Sequence, residues 1–168
     1  MRTVVVSESG LHRFGEQLGA VLRSGDVVLL DGPMGAGKTT LTRAIARGLA
    51  VHDPEAVCSP TFTLAMRHDG PHPLLHVDLC RLDGSFGDGA AALEALGLEH
   101  DELVSTRHVL VVEWAELWAD APAHALSVRI ARNPQRTEVR DVCLAAGGPA
   151  WAGRVGELRD GLNALDGH

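Results

Sequence analysis

The sequence predicts an α/β fold, in which a sheet carries helices on both faces and an antiparallel strand extension. Three observations lead to this prediction. Residues 26–30 form a short apolar run that passes through a glycine-rich loop into a helical pattern. Residues 109–112 form a second apolar run of strand length. Residues 125–131 and 137–145 alternate in polarity around Asn133-Pro134-Gln135, which predicts an antiparallel hairpin.

The elements around the glycine-rich loop follow regular patterns. Residues 3–6 predict a first strand, and Ser7 or Ser9 can cap the helix that follows. One face of that helix is apolar, with Leu11, Phe14, Leu18 and Leu22. Residues 40–49 predict the helix after the loop. Downstream we expect strands near residues 62–67 and 73–79 and short helices at residues 90–96 and 98–104.

The C-terminal segment, residues 151–165, predicts one more helix, which is amphipathic. Its apolar stripe consists of Trp151, Val155, Leu158, Leu162 and Leu165. This stripe favours a helix that covers the sheet, and a partner-binding element is the open alternative. With 168 residues, the chain is long enough for one well-formed core, so residues 1–168 are expected to form a single domain.

Composition limits the kinds of partner. The net charge of −7 argues against a broad nucleic-acid or membrane interface, although a local basic patch is compatible with it. No apolar run approaches membrane-spanning length, and the N-terminus lacks the features of a signal peptide. The three cysteines form no C-x-x-C pair, so neither a disulfide framework nor a zinc knuckle is indicated. We therefore expect a cytoplasmic protein that does not bind membranes.

The glycine-rich loop, residues 32–39, fits the phosphate-binding pattern G-x-x-x-x-G-K-[ST] between a strand and a helix. A plain strand-to-helix turn is the alternative, but both the spacing and the context agree with a P-loop. Lys38 is the only lysine among fifteen basic residues, and it stands at the position where the motif needs an ammonium group. The expected nucleotide-binding residues are Gly35, Ala36, Gly37, Lys38, Thr39 and Thr40.

Each position of the loop has a physical purpose. Glycines leave room for the backbone to wrap a polyphosphate, and successive N–H groups can point inward at the positive end of a helix dipole. Lys38 can reach the β- and γ-phosphates, which makes it a candidate catalytic residue. The Thr39 hydroxyl can bind Mg²⁺.

Two carboxylates are candidates for the metal and for water activation. Glu113 follows the buried run at residues 109–112, and ligands of open α/β sheets bind at such strand ends. Asp78, near the end of the preceding predicted strand, competes for the same role. The residues alone leave open which carboxylate binds Mg²⁺ and which orients water, and a surface position is the alternative for either.

Residues 59–63 read Ser-Pro-Thr-Phe-Thr, in which Pro60 keeps Ser59 out of a helix. Such a hydroxyl-rich loop is typical of nucleotide-sensing switch segments, and Thr61 is the candidate contact. A simple capped turn is the alternative.

Four motifs together resemble the bacterial TsaE (YjeE) family of tRNA threonylcarbamoyladenosine biosynthesis. The resemblance covers roughly residues 8–144, and the departures are Cys80, Pro33-Met34 and Ala115, where the family usually has Tyr, Asp-Leu and Pro. The motifs are Gly35-Ala36-Gly37-Lys38-Thr39-Thr40, Ser59-Pro60-Thr61-Phe62-Thr63-Leu64, His76-Val77-Asp78-Leu79-Cys80-Arg81 and Glu113-Trp114-Ala115-Glu116.

The resemblance implies an ATPase that is weak alone and acts on a TsaB–TsaD heterodimer, which places threonylcarbamoyl on adenosine 37 of tRNA. It implies ATP and Mg²⁺ as cofactors, with tRNA reached indirectly through the complex. By resemblance, Thr39 and Glu113 hold Mg²⁺, Asp78 assists hydrolysis, and Thr61 belongs to a switch loop.

Two other functions remain open. A small P-loop kinase for a metabolite or nucleoside would suit the size, with the arginines of residues 129–140 as a phosphate-clamping lid, but no Asp-x-Arg acceptor motif follows the second strand. A non-catalytic ATP-gated interaction module would bind ATP without turnover. A GTPase is disfavoured because its Asn-Lys-x-Asp motif needs a second lysine.

Overall fold

The computed structural model describes residues 3–59, 64–80, 103 and 105–165. Within these ranges the chain forms seven strands and three α-helices. They are β1 (Thr3–Ser7), α1 (Glu8–Val21), β2 (Val27–Asp31), α2 (Lys38–Gly48), β3 (Ala65–His68), β4 (Leu74–Asp78), β5 (Val109–Glu113), β6 (Leu126–Arg132), β7 (Val139–Ala146) and α3 (Ala152–Leu165). No helix among the described residues is long and apolar enough to cross a membrane.

The strands form one mixed sheet in the order β1-β7-β6-β2-β5-β4-β3. The four central strands, β6, β2, β5 and β4, run parallel to one another. Antiparallel strands lie at both edges, where β7 pairs with β6, β1 pairs with β7, and β3 pairs with β4. The predicted α/β fold and its antiparallel extension are therefore confirmed.

The sequence explains the local starts of these elements. Ser7, one of the two predicted caps, is the N-cap of α1. Its Oγ accepts a 3.1 Å hydrogen bond from the N–H of Gly10. α2 begins at Lys38, two residues before the predicted start at residue 40, directly after Gly37 in a left-handed conformation. β3 occupies Ala65–His68, within and just beyond the range predicted near residues 62–67, and residues 60–63 lie outside the described residues.

The core has one apolar layer on each face of the sheet. α1, α2 and α3 pack on the same face, where Phe14, Leu41 and Trp151 belong to one buried cluster with the strand side chains. On the opposite face, alternate residues of the central strands pack with Trp118 and with Leu103, which is helical. Apart from Leu103, the helices predicted at residues 90–96 and 98–104 lie outside the described residues.

The C-terminal helix covers the sheet, as the first of the two alternatives predicted. Trp151, Val155, Leu158 and Leu162 are all buried in the same cluster as α1 and the sheet. The Trp151 indole N–H donates a 2.8 Å hydrogen bond to the carbonyl of His124, which fixes the start of the helix. These four residues of the apolar stripe therefore pack against the rest of the domain.

The strand register brings the functional candidates together. β2 lies at the centre of the parallel part, and the P-loop and α2 follow its C-terminal end. Leu30 of β2 lies opposite Glu113 of β5, and Glu113 lies opposite Asp78 of β4. Both candidate carboxylates consequently end up beside the P-loop, at the carboxyl edge of the sheet where open α/β folds bind ligands.

Candidate functional site

The P-loop requires glycine at the positions the motif predicts. Gly32, Gly35 and Gly37 have φ angles of 145°, 72° and 111°, in the region that side chains rarely adopt. A Cβ on Gly32 would also lie 2.1 Å from the carbonyl oxygen of Ile130. The loop therefore passes so close to β6 that only a backbone without a side chain fits there.

All six predicted nucleotide-binding residues line two adjoining cavities around the loop. One cavity, of about 200 Å³, is lined by Gly35, Gly37, Lys38, Thr39, Thr40 and Glu113. The other, of about 120 Å³, is lined by Glu8, Leu11, Gly35, Ala36, Gly37, Thr40 and Arg140. Loop backbone, an ammonium group, a hydroxyl and a carboxylate thus all line the larger cavity.

Lys38 is folded back against its own loop. Its Nζ donates hydrogen bonds to the carbonyl oxygens of Gly32 at 2.5 Å and Pro33 at 3.1 Å, and it lies 3.7 Å from the ring centroid of Trp114. Only 5% of the residue is exposed. Burial lowers the pKa of Lys38 below its usual 10.5, and the nearby Glu113 carboxylate opposes that effect.

Glu113 is buried within a network of hydrogen bonds. Its Oε2 accepts from the Thr39 hydroxyl at 2.9 Å, and its Oε1 accepts from the Thr42 hydroxyl at 3.0 Å. His76 Nε2 lies 2.9 Å from the same Oε1, and neither side chain is more than 2% exposed. A carboxylate with this many partners is held in one orientation at the start of α2.

Asp78 faces a different part of the site. Its Oδ2 accepts a 2.5 Å hydrogen bond from the Ser59 hydroxyl, and its Oδ1 accepts from the backbone N–H of Cys80 at 2.9 Å. Asp78 is 5% exposed. It therefore lies beside the first residue of the predicted switch loop, whereas Thr61 is outside the described residues.

A further acidic pair lies near Lys38. Burial raises the pKa of Glu116, and a hydrogen bond with the Asp31 side chain raises it further. Glu116 also acts on Lys38, where its negative charge favours the protonated ammonium. The electrostatics of the loop lysine therefore involve more than the strand-end carboxylates.

Sequence reasoning missed several members of the site. Thr42 is one helical turn after Lys38 and accordingly faces the same way, so helix periodicity could have indicated it. His76 was recognised as part of a motif, but its contact with Glu113 depends on the pairing of β4 with β5. Trp114 reaches Lys38 from a left-handed conformation, with φ of 59°, which no sequence signal for a non-glycine residue reveals.

Two of the hairpin arginines contact the P-loop. Arg132 and Arg140 bond to backbone carbonyls of the P-loop, with Nη2 of Arg132 3.0 Å from Met34 O and Nε of Arg140 3.0 Å from Ala36 O. Both guanidinium groups are thus bonded to the loop backbone, and Arg140 also lines the smaller cavity.

Comparisons with known proteins agree with this geometry. The family described as threonylcarbamoyl adenosine biosynthesis protein TsaE matches residues 5–141. A TsaE from Streptomyces coelicolor is 42% identical over 149 residues, which cover 84% of this chain and 94% of the relative. A TsaE from Bacillus subtilis is 39% identical over 115 residues, which cover 67% of this chain and 66% of the relative.

A solved structure shares the whole fold. The crystal structure of Bacillus subtilis YdiB superposes with a TM-score of 0.69 at 26% identity, over 95% of each chain. The family match ends at residue 141, so α3 lies beyond it. The sequence match, the relatives and the shared fold lead to one conclusion: this chain belongs to the TsaE family of tRNA threonylcarbamoyladenosine biosynthesis.

Proposed function

We propose that this protein binds and hydrolyses ATP with Mg²⁺ and thereby supports threonylcarbamoylation of adenosine 37 in tRNA. The observation that carries the proposal is the contact between Thr39 and Glu113. It places a hydroxyl and a buried carboxylate together at the start of α2, next to the P-loop. This combination suits a nucleoside triphosphate with a divalent metal, because the loop can bind phosphate and the two oxygen atoms can bind the cation.

Lys38 would exchange its partners when the polyphosphate binds. In the structure its ammonium group is satisfied by the carbonyls of Gly32 and Pro33. Phosphate oxygens carry full negative charge, so they form stronger hydrogen bonds with the ammonium group than neutral carbonyls do. Trp114 would then continue to shield this ammonium from water.

Thr39 and Glu113 are the residues that would hold Mg²⁺. Both offer oxygen atoms, which are the ligands that Mg²⁺ prefers, and the 2.9 Å separation of these atoms supports their convergence on one position. The metal would supply neutralisation of charge on the β- and γ-phosphates. Thr42 and His76 would keep the Glu113 carboxylate in place.

Asp78 would orient the attacking water. Asp78 is a second carboxylate beside Glu113, since the two residues lie opposite each other on the paired strands β4 and β5. Its hydrogen bond with Ser59 links it to the loop that carries Thr61, so a movement of this loop would change the partners of Asp78. We propose Thr61 as the residue that contacts the γ-phosphate side when the loop closes.

The proposed partner is the TsaB–TsaD heterodimer in the cytoplasm, with tRNA reached through that complex. Turnover by the isolated chain is expected to be slow and to rise when the partner is added. A screen for phosphoryl acceptors, run beside ATPase assays with and without the heterodimer, tests the proposal. Phosphate release that depends on the heterodimer supports it, whereas transfer to a small acceptor would favour a kinase, and ATP binding without turnover would favour an interaction module.

The switch loop has a test of its own. Amide hydrogen exchange over residues 59–63 should slow when a non-hydrolysable ATP analogue and Mg²⁺ bind, because contacts to the nucleotide would protect the amides. Residues 133–136, in the turn of the β6–β7 hairpin, serve as the control and should exchange at an unchanged rate. Unchanged exchange over residues 59–63 would remove the switch role from Thr61.

A further inference from the structure

The β6–β7 hairpin holds the P-loop through two arginines. Nη2 of Arg132 donates a 3.0 Å hydrogen bond to the carbonyl of Met34, across 98 residues of sequence. Nε of Arg140 donates a 3.0 Å hydrogen bond to the carbonyl of Ala36, across 104 residues. The two bonds therefore lie on either side of Gly35, which has no side chain and a φ angle of 72°.

Because peptide units are planar, these contacts also fix the direction of the neighbouring N–H groups. In a trans peptide the C=O of one residue and the N–H of the next point in opposite directions, and the described chain contains no cis peptide bond. Holding the carbonyl of Met34 therefore fixes the N–H of Gly35, and holding the carbonyl of Ala36 fixes the N–H of Gly37. Gly35 and Gly37 line the cavity of about 200 Å³ that also contains Lys38.

The remaining groups of the loop are already engaged. Lys38 occupies the carbonyls of Gly32 and Pro33, and the N–H of Ala36 donates a 3.1 Å hydrogen bond to Pro33 O. Without the two arginines, the Met34–Gly35 and Ala36–Gly37 peptide units would lose these bonds to the hairpin. Glycine has wide backbone freedom, so these units would sample orientations that turn their N–H groups away from the phosphate.

We propose that Arg132 and Arg140 are positioning residues that orient the Gly35 and Gly37 N–H groups toward the bound polyphosphate. The proposal rests on the function proposed above. Preorganised N–H donors bind phosphate more tightly because the cost of ordering them is met before the ligand arrives. The arginines act through the loop backbone, so neither needs to touch the nucleotide.

The hairpin provides a matched control for charge. Arg129 and Arg136 are exposed on the same hairpin, and their guanidinium groups make no hydrogen bond to any residue that the structure describes. The double variant Arg132→Met/Arg140→Met is expected to bind a non-hydrolysable ATP analogue with Mg²⁺ about tenfold more weakly than Arg129→Met/Arg136→Met. Both pairs remove two positive charges, so affinities within twofold of each other would overturn the proposal.

Lysine substitutions separate bond geometry from charge. Arg132 gives the loop one hydrogen bond from the end of its side chain, so Arg132→Lys should retain most of the affinity. Arg140 binds Ala36 O through Nε while Nη1 binds the carbonyls of Thr137 and Val139, and a single ammonium group cannot reproduce that arrangement. Arg140→Lys should therefore weaken binding almost as much as Arg140→Met, and equal retention by both lysine variants would contradict the proposal.

Backbone order in the nucleotide-free protein gives a test that does not depend on ATP binding. NMR order parameters of the Gly35 and Gly37 amides should fall in the double methionine variant and stay unchanged in the Arg129→Met/Arg136→Met control. Arg132→Met alone should loosen Gly35 more than Gly37, which a general loss of stability would not produce. Unchanged order at both glycines overturns the inference, whereas order that falls in a protein unable to bind ATP refutes only the proposed function.

Discussion

The hydroxyl of Thr39 donates a 2.9 Å hydrogen bond to Oε2 of Glu113, across 74 residues of sequence. The contact joins the first turn of α2 to the carboxyl end of β5. Because Glu113 is 2% exposed, the carboxylate has exchanged its water for the hydroxyls of Thr39 and Thr42 and for His76. The oxygen atoms of the proposed metal site are thus held together by hydrogen bonds within the protein itself.

Replacing Glu113 should affect turnover more than nucleotide binding. In the Glu113→Gln variant, we expect kcat for ATP hydrolysis with partner to fall by about 10²-fold or more, because the charge aimed at Mg²⁺ is lost. Affinity for ATP measured without Mg²⁺ should change by no more than about threefold, since the loop and Lys38 are untouched. Steady-state kinetics and calorimetric titration provide the two measurements.

Asp78→Asn is the control that assigns the two carboxylates. It should lower kcat while leaving the Mg²⁺ concentration needed for half-maximal rate close to that of the unaltered protein. In Glu113→Gln that concentration should rise instead. The opposite pattern would mean that Asp78 holds the metal and Glu113 orients the water.

The sequence predicted the parts of this site that depend on local chemistry. Glycine spacing indicated the P-loop around Lys38, and the apolar run before Glu113 indicated a strand end. It could not predict that Glu113 lies opposite Asp78 or that His76 reaches its Oε1, because strand register is decided by the packing of the whole sheet.

The contacts from the hairpin were beyond local reasoning for the same reason. The sequence indicated Arg132 and Arg140 only as members of a possible phosphate-clamping lid, since no pattern in residues 125–145 indicates a contact with the P-loop. Their contacts arise because β6 pairs directly with β2, which brings the end of the hairpin beside the loop. Long-range neighbours of this kind follow from topology.

Gly32 should tolerate no side chain. In Gly32→Ala, the new Cβ would meet the Ile130 carbonyl at 2.1 Å at a φ of 145°, so we expect the free energy of unfolding to fall by at least about 2 kcal/mol. Gly156→Ala is the matched control, because Gly156 is exposed within α3 and has open space around it. That variant should be more stable by about 0.5–1 kcal/mol, and urea denaturation measures both.

An ion pair adds to the apolar contacts that attach α3 to the rest of the fold. Arg154 donates to both oxygens of Asp26, at 2.5 and 3.0 Å, and the two side chains are 17% and 14% exposed. Arg154→Met should lower the free energy of unfolding by about 1–3 kcal/mol, because Asp26 keeps its charge in a largely buried position. The exposed pair of Arg47 and Glu55 gives the contrast: Glu55→Gln should cost no more than about 1 kcal/mol. Equal losses in urea denaturation would mean that burial does not strengthen the α3 contact.

Lys38→Arg should fail although it keeps the positive charge. The ammonium group fits between two carbonyl oxygens and the Trp114 ring, and a planar guanidinium group is too large for that space. We expect both Lys38→Arg and Lys38→Ala to lose about 2–5 kcal/mol of transition-state stabilisation, measured as kcat/KM with partner present. Activity of Lys38→Arg within about tenfold of the unaltered protein would show that charge alone is sufficient at this position.

The lowered pKa of Lys38 gives a pH dependence with a definite sign. In the free protein, burial makes Lys38 release its proton below its usual pKa of 10.5, whereas bound phosphates would stabilise the ammonium form and raise the pKa again. Above the lowered pKa, ATP binding must then take up a proton, so affinity for ATP should fall as the pH rises through the alkaline range. Calorimetry in two buffers with different ionisation enthalpies measures this uptake. Lys38→Met is the control and should show weaker binding without the alkaline proton uptake; the same uptake in both proteins would mean that another group titrates and that Lys38 does not meet the phosphates.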